Sequence, residues 1–99
     1  MTPTELFASW SAGAAAVKIF PANQVGPGYL NDLRGPFPGI AAVPSGGVDL
    51  LGAEAWLRAG AAAVSVGGPL LGDALRGGDL EALRDRATAF VATCSQVTT

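Results

Sequence analysis

The 99-residue sequence has no histidine, one cysteine and one lysine. Without histidine, a His-based triad and a His-ligated metal site are both excluded, and Cys94 alone excludes a thiolate zinc site. Cys94 also has no partner for an internal disulfide, which fits a reducing, cytoplasmic setting. Positive charge is sparse: Lys18 and five scattered arginines form no basic stripe, and the net charge is -2. The electrostatic footprint of a nucleic-acid binder is therefore missing. No apolar run approaches the roughly 20 residues of a membrane helix. Met1 to Glu5 lack the basic and apolar regions of a signal peptide. What remains is 49% hydrophobic and rich in alanine and glycine. That composition predicts one small folded domain over residues 1–99, with neither a nucleic-acid nor a membrane partner.

Local signals divide the chain into alternating elements. Thr2-Pro3-Thr4-Glu5 reads as a capping box with proline at the first helical position, so a helix is expected through Leu6, Phe7 and Trp10 to Gly13. "AAVKIF" (Ala15 to Phe20) reads as a strand, with Val17 and Ile19 on one face and Lys18 and Phe20 on the other. A loop at Gly26-Pro27-Gly28 leads to a short helix from Tyr29 to Arg34. "IAAV" (Ile40 to Val43) is a second strand, turned by Pro44-Ser45-Gly46-Gly47. Asp49 can cap a helix over Gly52 to Ala59 that Gly60 stops. "AAVSVG" (Ala62 to Gly67) is a third strand. Asp79 opens a last helix with an i, i+3, i+4 stripe through Leu80, Leu83, Ala87, Phe90 and Val91, and the tail from Ser95 is expected to fray. Trp10 and Trp56 are packing residues, and Glu54, Glu81 and Asp85 lie on solvated helix faces.

"AGAAAV" occurs twice, at Ala12 to Val17 and at Ala59 to Val64, each time where a helix runs into a strand. The order predicts an α/β fold with three parallel strands and four to five helices. Such a set suits a small open sheet or part of a (β/α)8 TIM barrel. The partial barrel is preferred, since a complete one needs about 250 residues.

Lys18 interrupts an otherwise apolar strand. A lysine there is either solvated or a placed reactive amine. The small and aromatic residues sharing its face, Ala16 and Phe20, are those of a closed interior, which would favour the neutral, nucleophilic form. An amine of that kind condenses with a carbonyl to a Schiff base. Its strand echo at Ala59 to Val64 continues with Ser65, so the strand unit does not itself demand a lysine.

Ser45-Gly46-Gly47 and Gly67-Gly68 each follow a strand. Glycines there let backbone N–H groups approach an anion, and Ser45 adds a hydroxyl. Each pair alone also makes an ordinary turn. Two at successive strand ends suit a phosphate site at the C-terminal face of a barrel.

Together, "VKIFPA", "GPGYLNDLRGPFP", "PSGGV" and "AVSVGGPLL" resemble the C-terminal half of the 2-keto-3-deoxy-6-phosphogluconate / 4-hydroxy-2-oxoglutarate aldolases. The resemblance runs from Thr2 through the last helix. It implies a class I aldolase on a TIM barrel, forming a homo-oligomer (a trimer in the family), without cofactor or metal. Lys18 would form the Schiff base with pyruvate, and Phe20 and Pro21 would line its pocket. Ser45, Gly46, Gly47, Gly67 and Gly68 would hold the phosphate or the polar end of the aldehyde. Where many members continue after the last strand with a serine, this chain has Pro69. The family's acid/base glutamate comes from an early strand, outside this sequence, so the chain is expected to be a C-terminal half-barrel with impaired activity. A phosphate-binding barrel isomerase or synthase without covalent lysine chemistry, and a non-catalytic half-barrel, are the alternatives.

Overall fold

The computed structural model describes residues 2–98. Helix α1 (Pro3–Ser11) begins as its sequence directs, with the Thr2 hydroxyl accepting from the Glu5 N–H at 3.2 Å. A hydrogen bond from the Thr2 side chain to the Glu5 carboxyl holds that carboxyl below its ordinary value. Strand β1 (Val17–Ile19) follows, then a short helix α2 (Ala22–Val25) and α3 (Gly28–Arg34). Strand β2 (Ala42–Pro44) leads to α4 (Leu50–Arg58), where the Asp49 carboxylate caps the Gly52 N–H at 2.7 Å. The chain ends in the short α5 (Gly68–Leu71), a 3-10 turn (Ala74–Arg76) and the long α6 (Leu80–Thr98).

Strands β1 and β2 run parallel, pairing Val17 with Ala42, Lys18 with Val43 and Ile19 with Pro44. Val17, Ile19, Ala42 and Pro44 are buried on one face of this sheet. Against that face pack Leu6 of α1, Leu30 and Leu33 of α3, Trp56 of α4 and Phe90 of α6. The apolar faces of these four helices thus point to one common core. On the surface, Glu54 and Arg58 form the i, i+4 pair expected of a solvated helix face, at 2.9 Å.

The repeated hexapeptide has a structural counterpart. In α1, the Gly13 N–H donates to Trp10 and the Ala14 N–H to Ser9. In α4, the Gly60 N–H donates to Leu57 and the Ala61 N–H to Trp56. Both are Schellman C-caps, and Gly13 and Gly60 take φ values of 98° and 101°. Each cap turns the chain from a helix into an extended segment bonded to β2.

Three expectations are corrected. Among the described residues the sheet has two strands rather than three. The segment expected as the third strand does run beside β2, with the Ala62 N–H on the Ala42 carbonyl and the Ser65 N–H on the Pro44 carbonyl, both at 2.9 Å. Pro44 has no N–H to return, which breaks the ladder. Ala62 and Ser65 are also three positions apart while their acceptors are two apart, a bulge-like mismatch. Secondly, the described residues form six α-helices rather than four to five; α2 and α5 span four residues each, too few for a periodic signal. Thirdly, α6 continues to Thr98 instead of fraying from Ser95. Cys94 and Ser95 line an apolar groove with Val64, Val66 and Leu70, so tertiary contact extends the helix. Thr99 lies outside the described residues.

Candidate functional site

The C-terminal ends of β1 and β2 are stitched together by backbone bonds. The Ser45 N–H donates to the Ile19 carbonyl at 2.8 Å, the Ala22 N–H to the Ser45 carbonyl at 2.7 Å, and the Asn23 N–H to the Gly46 carbonyl at 3.1 Å. The loop after β2 is thereby held against the segment Phe20-Pro21-Ala22 that follows β1. Ser45 has committed its N–H to the sheet, so its hydroxyl is what it can offer a ligand. The N–H groups of Gly46 and Gly47 take no acceptor among the described residues.

The two glycines are required by space as well as by backbone conformation. Gly46 has φ 94° and Gly47 φ 68°. A Cβ on Gly46 would stand 2.8 Å from the Phe20 ring, and one on Gly47 2.5 Å from Asn23 Nδ2. Phe20 therefore lies over Gly46, and the Asn23 carboxamide lies over Gly47. Lys18 Nζ is 6.0 Å from the Phe20 ring centroid, at the outer limit of a cation–π contact. Lys18, Phe20, Gly46, Gly47 and Asn23 thus follow one another along a single rim.

Gly67 and Gly68 lie at the neighbouring strand end, because Ser65 is bonded to Pro44, the residue before Ser45. They open α5, which Arg86 holds at its far end. Arg86 Nε donates to the Leu70 carbonyl at 2.7 Å and Nη2 to the Leu71 carbonyl at 3.1 Å.

The expected site residues thus fall at neighbouring ends: Lys18, Phe20, Pro21, Ser45, Gly46 and Gly47 at those of β1 and β2, Gly67 and Gly68 at that of the extended segment beside β2. One expectation about their surroundings is corrected. The face carrying Ala16, Lys18 and Phe20 is open, with Phe20 58% exposed, because the helices of the core cover only the Val17/Ile19 face. Among the described residues no carboxylate lies within ion-pair distance of Lys18. Asn23 and Arg86 were not singled out from sequence. Both act across the fold, and an asparagine two residues after a proline or an arginine within a helix carries no local signal of such contact.

This is an α/β protein whose expected site residues stand at the C-terminal ends of two parallel strands and of the extended segment beside them. Comparison with known proteins identifies which: the family model of KDPG and KHG aldolases matches residues 1–85, and the chain belongs to that family. It is 37% identical over 91 residues to the 2-dehydro-3-deoxy-6-phosphogalactonate aldolase of Escherichia coli (strain K12), covering 91% of this chain and 43% of that protein. A probable 2-dehydro-3-deoxy-6-phosphogalactonate aldolase of Rhizobium meliloti (strain 1021) is 36% identical over 94 residues, covering 92% and 42%. Among solved structures, a native KDPGal structure superposes with a TM-score of 0.84 at 35% identity, over 98% of this chain and 46% of the other. A cube-shaped, porous cage designed by fusing symmetric oligomeric domains gives a TM-score of 0.81 at 34% identity, over 98% of this chain and 35% of the cage chain. The chain spans less than half the length of the curated relatives it matches.

Proposed function

We propose that this chain carries the Schiff-base half of a class I aldolase site on part of a (β/α)8 barrel. The reaction is reversible cleavage of a 2-keto-3-deoxy-6-phospho sugar acid, the gluconate or its galactonate epimer, or of 4-hydroxy-2-oxoglutarate, to pyruvate and an aldehyde. The observation that carries this reading is the rim itself. A lone lysine on β1 stands beside Phe20, and Phe20 stands over a glycine loop with unengaged N–H groups. The matching relatives named for the galactonate epimer favour a phosphorylated substrate.

In this chemistry the neutral Lys18 amine adds to the C2 carbonyl and water leaves, giving an iminium. The iminium accepts the electron pair of the C3–C4 bond as that bond breaks. The C4 hydroxyl loses its proton and becomes the aldehyde, and an enamine remains on Lys18. Protonation at C3 and hydrolysis then release pyruvate and restore the lysine. Phe20 and Pro21 line the pocket beside the amine. The Ser45 hydroxyl and the N–H groups of Gly46, Gly47, Gly67 and Gly68 bind the phosphate end.

Each proton transfer needs an acid/base group, and no described carboxylate is paired with Lys18. The whole site is therefore expected in a larger, cytoplasmic assembly that covers the open Lys18 face, as a homo-oligomer. No described helix is long and apolar enough to cross a membrane. Pyruvate release from the two epimeric phospho-keto acids, followed with a pyruvate-reducing dehydrogenase, tests the reading. The 99-residue chain alone should turn over weakly or not at all, and any turnover should vanish in Lys18→Arg. Turnover that survives this substitution overturns the proposal.

A further inference from the structure

We propose that Asn23 is a specificity-determining residue of this site, its carboxamide donating a hydrogen bond to the phosphate end of the substrate. The inference rests on the anion-loop reading of Ser45-Gly46-Gly47 given above and extends it to a side chain outside both glycine loops. Three observations carry it. Asn23 is fixed in place, because its own N–H is bonded to the Gly46 carbonyl at 3.1 Å and the preceding Ala22 N–H to the Ser45 carbonyl at 2.7 Å. Its carboxamide lies against the backbone of Gly47, so closely that any side chain at Gly47 would occupy its place. Asn23 is nevertheless exposed, and its side chain makes no hydrogen bond among the described residues.

The order along the rim gives this contact its meaning. Lys18 Nζ faces one side of the Phe20 ring, Phe20 lies over Gly46, and Gly47 with Asn23 comes next. A 2-keto acid whose carbonyl meets Lys18 extends its far end past Phe20 toward Gly47. There Asn23 can donate from its NH2 group beside the free glycine N–H groups. A carboxylate of the same shape accepts only, and its charge opposes an anion. The carboxamide is thus the feature that admits a phosphorylated far end.

The test is a titration of the 99-residue chain with inorganic phosphate, followed by amide proton–nitrogen spectra. The native chain should show a saturable response at Gly46 and Gly47. Asn23→Asp, nearly isosteric, should weaken phosphate binding by about tenfold or more, and Asn23→Ala by roughly threefold to tenfold. The β1–β2 amides should stay unshifted in both. Asn23→Asp binding phosphate as tightly as the native chain overturns the inference and leaves the anion loop standing. If that variant does not fold, native affinity in Asn23→Ala does the same. A native chain without response at Gly46 and Gly47 overturns the anion-loop reading, and this inference falls with it.

Discussion

Arg34 and Gly60, 26 positions apart, are joined by a 2.6 Å hydrogen bond from the guanidinium Nη2 to the backbone carbonyl. Gly60 is the glycine of the second Schellman cap, with φ 101°, and a side chain there would run into the Arg34 guanidinium. The bond fixes the end of α3 to the turn that launches the segment beside β2. Arg34→Ala is expected to lower stability by about 1.5–3 kcal/mol, the worth of a hydrogen bond from a charged donor. Gly60→Ala should cost more than the ~1 kcal/mol of the backbone conformation alone, because it also displaces the arginine. Urea unfolding at constant m-value measures both.

Arg86 is the described polar tether of α5, which has no buried residue and no side-chain cap at its start. Arg86→Ala should leave the β1–β2 ladder intact. It should raise hydrogen exchange at Leu71 and Gly72, whose amides bond Gly67 and Gly68, by about tenfold. Arg86→Lys should give an intermediate result, since one ammonium does not span two carbonyls as a guanidinium fork does. Native protection in the alanine variant contradicts the tether.

The Tyr29 hydroxyl is out of contact with solvent and has no hydrogen-bond partner among the described residues. Burial, and then the negative charge of Glu5, push the phenol above its ordinary 10.0. With the folded value raised, the group's contribution is fully present below the unfolded value and is lost as pH rises through the folded one. The melting temperature should therefore fall on the alkaline side, and Tyr29→Phe should flatten that limb. At neutral pH the phenylalanine variant should be as stable or more stable, because an unpartnered buried hydroxyl is removed. An unchanged alkaline limb in Tyr29→Phe would contradict this account of the buried phenol.

Features set by neighbours in sequence were legible: the Thr2 and Asp49 caps, the glycine stops at Gly13 and Gly60, and the alternation that puts Val17 and Ile19 opposite Lys18. The paired hexapeptides foretold two matching helix ends. What escaped depends on partners elsewhere. The third strand failed on the missing N–H of Pro44, a residue of the adjacent strand. The extension of α6 past Ser95 comes from the groove beside Val64 and Val66. Lys18 and the glycine loops stood out in the sequence as candidate site residues, and Asn23 did not, because only the fold carries it onto Gly47. The closed interior expected around Lys18 requires walls that the helices of this chain do not supply.

The central claim is that Lys18 is a Schiff-base amine at the mouth of an anion loop. Borohydride reduction in the presence of pyruvate, with peptide mapping by mass spectrometry, tests it most directly. The account predicts a reduced pyruvate adduct on the peptide containing Lys18, lost in Lys18→Arg and beyond any labelling of the terminal amine. An adduct confined to the terminal amine, with Lys18 unmodified, would contradict it.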